Sequence, residues 1–301
     1  MNLLEFISKF PDESACKEHF RLQRESEGII CKKCKSDKHY WLKGKWQWQC
    51  AACDFRTTLR SGTIMESGKL PFRKWYLVMA FMSFSKKGIS AKEMQRQLGH
   101  SRYESIWSMM HRVRDAMGKR DDLYKLDGMV EFDEGYFDHN VPRGIKLKRG
   151  KGSQKQKNVA VMAESTPLED IKTGMKSKQC RYFKMKVLHS HKEEFVNQVV
   201  NDNIDFNSVV LSDCSLSYLG ISDLVDVHVS EESSPNSVKN TLPWVHIAIT
   251  NAKRTLLGIY HKVKGAYLQN YLNEFCYKLN RRYFGERLFD RLVLAVAKIY
   301  W

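Results

Sequence analysis

The chain has 301 residues, 43% of them apolar, enough for a sizeable core in one large or two to three small domains. Lys and Arg outnumber Asp and Glu by 50 to 34, a charge of +16 that points to a polyanionic partner, nucleic acid first. The longest apolar run, Trp75 to Met82, is far too short to span a bilayer, which excludes a membrane-crossing helix.

Residues 1–28 read as a helical lead, with Phe6, Phe10, Ala15, Cys16, Phe20 and Leu22 turned toward the neighbouring segment for packing. The opening MNLLEFISKFPDES has Glu5 inside its apolar stretch and no basic lead-in, so no signal peptide is read there. A reducing cytoplasm is expected, close to the nucleoid for a DNA binder. In that compartment paired cysteines read as metal ligands, not disulfides. Residues 29–60 carry them as C-x2-C-x15-C-x2-C: Cys31, Cys34, Cys50 and Cys53. Four thiolates on two tight turns suit one tetrahedral zinc, and a closed four-cysteine set makes the site structural. Lys38, Tyr40, Trp41, Lys43, Lys45, Trp46 and Trp48 interleave between the pairs and suit stacking on nucleic acid, although at least one tryptophan should fill the ribbon's small core. Cys16, Cys180, Cys214 and Cys276 are scattered and read as small buried apolar residues.

Residues 70–120 read as helical. LPFRKWYLVMAFMSFSKKG ends on Gly88, and ISAKEMQRQLG and SRYESIWSMMHRVRDAMG come after it. Ser90 with Glu93 predicts a capping box on the first of these, and Ser101 with Glu104 one on the second, with Gly99 between them. Two helices on a tight glycine turn form a helix-turn-helix pattern, a DNA-binding device. From residue 128 the texture changes. VEFDEGYF, NVAVMAES and RYFKMKVL predict strands, KEEFVNQVVNDNI a helix, SVVLSDC and VDVHVS two more strands around a short helical turn, and a long helix starts near Pro243. The order β-β-β-α-β-α-β-α is that of a ribonuclease-H-like mixed sheet. The fold class expected is therefore α+β and multi-domain: an N-terminal zinc ribbon, a helix-turn-helix region and a ribonuclease-H-like catalytic domain over 128–301. Between the first two strands, residues 138–158 hold seven basic side chains against one acidic. Lys146, Lys148, Arg149 and Lys151 in this loop are candidates to grip phosphate.

Alternation along VEFDEGYF puts Val130 and Phe132 on one face and Glu131 and Asp133 on the other. A carboxylate in a core strand is costly unless a cation neutralises it. Asp213 sits where SVVLSDC leaves its strand. In a ribonuclease-H-like sheet the first and fourth strands are neighbours, so Asp133 and Asp213 would meet and bind Mg²⁺ through oxygen. Such a site supports two-metal phosphoryl transfer. Glu131 and Glu134 flank it as supporting groups.

FPDESAC, the two CxxC pairs, SGTIMESGKLPFRKWYL, KKGISAKEM, VEFDEGYF, LSD and YLQNYLNEFCYKLNRRYF, in that order, make nearly the whole chain resemble the DDE-type transposases of bacterial insertion sequences that carry an N-terminal zinc ribbon (insertion-sequence family 1595, with an ISXO-like transposase domain). The resemblance implies metal-dependent cleavage and strand transfer at the ends of a mobile element. Its partners would be double-stranded DNA, both the terminal inverted repeats and the target, and further copies of the chain in a homo-oligomer on that DNA. It also implies two Asp, a third residue that is Glu, Asn or His by branch, and a Lys seven residues later. The register places the third on His246 and the lysine on Lys253. Helix geometry agrees, because seven residues return Lys253 to within roughly 20° of His246. Asn251, about 140° away, is the other candidate for the third position or a DNA contact. Imidazole suits Mn²⁺ better than Mg²⁺, so either ion is expected. In AYLQNYLNEFCYKLNRR, Tyr267, Leu268, Tyr271, Leu272, Phe275 and Leu279 share a helical stripe, and Arg281 and Arg282 stand as phosphate contacts. Two competing readings, an inactive DNA-binding relative and a structure-specific nuclease without strand transfer, differ from this one only in the chemistry.

Overall fold

Small polar caps start the first helices. Asn2 and Glu5 exchange a full capping box at α1 (Leu3–Lys9). Asp12 accepts the Ala15 N–H at 2.8 Å to open α2 (Glu13–Glu27). The computed structural model describes residues 2–141, 144, 153–169, 176–232, 234, 241–261 and 263–298. Lys146, Lys148, Arg149 and Lys151 lie outside the described residues. The chain divides into two units, one of residues 1–117 with 283–301 and one of residues 118–282.

In the first unit Phe6, Phe10, Cys16 and Phe20 are buried as the sequence predicts, whereas Leu22 is exposed. α3 (Phe72–Phe84) buries Trp75, Tyr76, Val78 and Met79 against them. The last helix, Leu288–Ala297, belongs here too. Its Phe289 ring lies 5.7 Å from Phe6 and 5.9 Å from Tyr76. This corrects the expectation of one domain over 128–301. Phe289, Leu292, Val293 and Val296 form an apolar face that is buried in the aromatic cluster of the N-terminal unit.

The ribbon is a three-stranded antiparallel sheet: β1 (His39–Leu42), β2 (Gln47–Cys50) and β3 (Arg56–Thr58). Trp48 is its buried core residue and donates its indole N–H to Glu25 at 2.9 Å. Arg24 of α2, also buried, donates to the carbonyls of Thr58 and Leu59 at 2.9 Å and lies 5.0 Å from the Trp48 ring. The ribbon is thus seated on α2 by cation–π contacts from Lys17, Arg21 and Arg24 and by three hydrogen bonds. Trp41 and Trp46 are half-buried under Arg21 and Lys17. Lys38, Tyr40, Lys43 and Lys45 stay exposed.

Ser90 caps α4 (Ala91–Gln97) by accepting the Glu93 N–H at 3.2 Å. The Glu93 carboxylate turns instead to Arg96 and Gln97, so half of the expected box forms. Gly99, at φ +54°, makes the left-handed turn that a side chain would resist. α5 (Tyr103–Asp121) starts two residues after Ser101, one too late for Ser101 to take its N-cap.

The second unit is built on five strands: β4 (Met129–Asp138), β5 (Gln156–Glu169), β6 (Lys176–Val187), β7 (Val209–Asp213) and β8 (Val227–Glu231). Their order is β6-β5-β4-β7-β8, with β4, β5 and β6 antiparallel in sequence and β7 and β8 running parallel to β4. This is the mixed sheet predicted from the order of elements. α6 (Glu193–Asn203) covers one face through Val196 and Val200, packed on Val130, Phe132, Ala160 and Val210. α7 (Pro243–Thr255) and α8 (Leu268–Asn280) cover the other through Val245, Ala248, Leu268 and Leu272, packed on Phe137, Val159 and Val161.

An edge strand leaves unpaired backbone groups. At β6 two side-chain amides of α8 satisfy them. Asn280 accepts the Phe183 N–H at 2.7 Å and donates to its carbonyl at 2.9 Å. Gln269 accepts the Val187 N–H and donates to the Met185 carbonyl, both at 2.8 Å. Arg281 and Arg282 serve the same framework, which corrects their reading as phosphate contacts. Arg281 is buried in an ion pair with Asp121 at 2.6 Å. Arg282 donates to the carbonyls of Cys180 and Leu279, both at 2.8 Å. Tyr267, placed on the apolar stripe by periodicity, is exposed at the start of α8.

Candidate active site

Alternate residues of β4 meet successive turns of α7. Glu131, fully buried, accepts the Trp244 N–H at 2.8 Å and the Val245 N–H at 3.2 Å. Asp133 faces His246, with Oδ2 3.8 Å from Nε2. A Cβ on Gly135 would stand 3.3 Å from Ile249 and 2.9 Å from the ring of Phe137. Phe137 in turn lies 5.6 Å below the Lys253 ammonium. The VEFDEGYF strand is therefore a template along which α7 is laid, and glycine leaves room at position 135 for the side chains of Ile249 and Phe137. Gly135→Ala is expected to push α7 outward or twist Phe137, lowering stability by about 1–3 kcal/mol. Thermal unfolding checks this.

Asp213 reaches the same place from β7. The parallel register pairs Met129 with Val209, Val130 with Val210 and Glu131 with Leu211. Asp213 ends β7 two residues beyond the last of these pairs, Asp133 lies two residues beyond it on β4, and the charge of Asp213 acts on both Asp133 and His246. Asp213 Oδ1 accepts the Ser215 N–H at 3.1 Å, and Asp133 Oδ1 accepts the Glu134 N–H at 2.7 Å, which orients both carboxylates. Burial pushes the Asp133 carboxyl up to about 6. The Glu134 N–H opposes that rise, and the charges of Asp213 and Glu134 add to it. Burial pushes His246 down, and Asp213 partly offsets it. The side chains of Asp133 and His246 are 17% and 35% exposed, so the group opens to solvent on the His246 side.

The structure thus gathers Asp133, Asp213 and His246, and leaves Lys253 and Asn251 exposed further along α7. Glu134 points to the opposite face, where its carboxylate meets His191 at 2.9 Å and the amide of Asn158. Cys214, expected to be buried, is exposed beside Asp213; Cys16, Cys180 and Cys276 are buried. Two oxygen donors and one nitrogen, with a carboxyl driven up mainly by burial, fit a hard or borderline divalent cation.

The four ribbon cysteines form the tighter group. All four sulfurs lie within 4.8 Å of one another, and among the described residues no other set of three or more His, Cys, Asp or Glu ligand atoms does. Cys31 and Cys53 are 3.6 Å apart, and Cys34 and Cys50 3.5 Å. A disulfide needs about 2 Å. The edge of a zinc–thiolate tetrahedron is about 3.8 Å for metal–sulfur bonds near 2.3 Å. The two CxxC turns are built alike. The Lys35 N–H reaches the Cys31 carbonyl at 2.9 Å and the Asp54 N–H reaches that of Cys50 at 3.1 Å. Lys35 and Asp54 both take positive φ, 62° and 57°. Those residues fit zinc.

Three functional placements escaped the sequence reading: Glu131 on the N-terminus of α7, Gly135 under Ile249, and the amides that close the β6 edge. One signal for the first was available. Leu242, the residue before Pro243, has no side-chain acceptor for a helix start, so the cap had to come from elsewhere.

Comparison with known proteins places this geometry in a family. No curated protein sequence matches the chain. Among solved structures, the Mos1 strand transfer complex aligns over 78% of this chain and 82% of its own at 13% identity, with a TM-score of 0.30. A pre-cleavage Mos1 transpososome aligns over the same shares at 12% identity and a TM-score of 0.26. Superpositions that loose add nothing to the fold beyond its own strand order. The model of the ISXO2-like transposase domain matches residues 125–280, more than half of the chain, and takes in the whole of the sheet that carries Asp133 and Asp213 and the helix that carries His246. The chain belongs to the ISXO2-like transposase domain family.

Proposed function

We propose that this protein cuts and joins DNA at the ends of its own insertion sequence, using Asp133, Asp213 and His246 as the residues that hold divalent cations. The observation that carries the reading is the meeting of three groups from β4, β7 and α7, far apart in sequence, around one carboxyl that burial makes reluctant to ionise alone. Mg²⁺ or Mn²⁺ bound there would activate the attacking water or 3′-hydroxyl and stabilise the leaving oxygen. The chain's own groups do the rest. Backbone N–H groups of Glu134 and Ser215 fix the carboxylates, and burial excludes competing water on the sheet side. Lys253, exposed two turns from His246, takes a phosphate oxygen of the bound strand. Asn251 beside it is a further DNA contact.

The N-terminal unit reads the element ends. Its zinc ribbon presents Lys38, Tyr40, Lys43 and Lys45, and the α4–α5 pair with its Gly99 turn serves as a helix-turn-helix. Lys146, Lys148, Arg149 and Lys151 grip phosphate along the same DNA. Two ends must be brought together for transposition, so the active form is a homo-oligomer on double-stranded DNA. The test supplies the zinc-loaded protein with a pre-cut element end bearing a 3′-hydroxyl, plus target plasmid, in Mg²⁺ and in Mn²⁺. A covalently joined product is expected. Cleavage without joining would identify a nuclease, and binding without either would identify an inactive relative.

A further inference from the structure

The reading of Asp133, Asp213 and His246 leaves open what holds α7 at the distance their chemistry needs. Every α-helix starts with backbone N–H groups that lack intrahelical partners. In the first turn of α7 the donors after Leu242 are all accounted for. Pro243 has no N–H to satisfy. Trp244 and Val245 donate to Glu131, and His246 donates to the Leu242 carbonyl at 3.4 Å. Leu242 supplies no side-chain cap. The acceptor therefore comes from β4, two residues before Asp133 and on the same face of that strand. One strand thereby holds both the start of the helix and the carboxylate that His246, the next residue of that helix, has to meet.

We propose that Glu131 is a positioning residue, which sets His246 against Asp133 by anchoring the N-terminus of α7 to β4. A carboxylate suits this task. It accepts two N–H groups at once, and its negative charge is favoured at the positive end of the helix. Its full burial removes water as a competitor, so the tether is stiff. A cap chosen only for helix stability would sit at Leu242, where Ser, Thr, Asp or Asn does the work locally. A cap on the catalytic strand couples the helix to the site.

The proposal rests on His246 being the third residue of the site, and the experiment separates the two claims. Glu131→Gln, His246→Ala and the double variant are compared in Mn²⁺ under single-turnover conditions with saturating element-end DNA. Glu131→Gln keeps size and one acceptor oxygen but loses the charge. It is expected to slow cleavage about tenfold or more, leave DNA affinity unchanged, and raise the Mn²⁺ concentration for half-maximal rate as His246→Ala does. The double variant is expected to be no slower than His246→Ala alone, within about twofold, because both changes remove one interaction. Multiplying effects, with His246→Ala itself impaired, would overturn the positioning role and leave the third-residue reading standing. Wild-type cleavage by His246→Ala would overturn both. Should Glu131→Gln fail to fold, Glu131→Asp gives the same cycle. It keeps the charge but shortens the tether by one methylene, and cleavage that is unchanged in a folded Glu131→Asp would equally overturn the proposal.

Discussion

Asp213→Asn should slow DNA cleavage and strand transfer by about a thousandfold, roughly 4 kcal/mol in barrier height, while leaving affinity for element ends within about threefold. The chemistry depends on charge that the amide does not carry. Asn retains the shape and can still accept the Ser215 N–H, so the strand end should keep its geometry. What is lost is one of the site's two anionic ligands, the other being Asp133. DNA affinity should hardly change, because on the proposed reading it comes from the net charge of +16 and from the N-terminal unit. The single-turnover rate on labelled element-end DNA, with a gel-shift titration of the same protein, checks both halves. A variant that cleaves within tenfold of wild type would remove Asp213 from the chemistry.

Removing the zinc should have an effect of comparable size on a different property. Structural zinc sites of this type contribute on the order of 10 kcal/mol to the fold that surrounds them. The ribbon has β1, β2 and β3 and one fully buried tryptophan, too little core to stand without the metal. Cys50 is buried and continues β2, so Cys50→Ser should unravel that strand. Trp48 would then leave Arg24, and that guanidinium would be left to the two carbonyls of β3 and the segment after it. The expected results are loss of the one bound zinc, a drop in element-end affinity of at least about a hundredfold, and an unchanged core in residues 118–282 by hydrogen exchange. Zinc analysis and the gel shift test it. Retained zinc and retained affinity would show that the four cysteines are not the metal's ligands.

Much of the second unit was legible because its signals are local. β4, β5, β7 and β8 each carry a two-residue alternation or an apolar run, and their order along the chain fixes the sheet once β4 and β7 are neighbours. Asp133 and Asp213 follow from the order of the strands, whereas His246 comes from the family resemblance, with the helix period beyond Pro243 agreeing for Lys253. What failed was non-local. Arg281 looks like an exposed cation at the end of an amphipathic helix until Asp121, from the end of α5, is placed beside it. Gln269 and Asn280 look like the polar side of α8, and only the edge of β6 shows why amides, which donate and accept together, stand there. The return of Leu288–Ala297 to the N-terminal unit depends on an aromatic cluster assembled from α1 and α3.

On the proposed reading, Asp133, Asp213 and His246 are held together for the sake of a cation. Burial of the Asp133 carboxyl without the cation carries a cost whose sign is fixed. The folded carboxyl of Asp133 titrates at about 6, above the ordinary value of 3.8. The folded protein therefore holds this proton more tightly than the unfolded chain. Stability is favoured at low pH and is lost as pH rises from about 4 through about 6, an effect of about 1–3 kcal/mol after allowance for solvent near the site. Asp133→Asn removes that cost. The most direct measurement is the melting temperature of the zinc-loaded wild type and Asp133→Asn at pH 7.5, each with and without Mn²⁺. Without Mn²⁺ the variant is expected to melt higher than wild type, and the gap should close below about pH 4. Saturating Mn²⁺ should raise the wild type by about 5 °C or more and leave the variant almost unmoved. An equal response of both proteins to Mn²⁺, or a variant that melts lower without it, would contradict a cation site at these three residues.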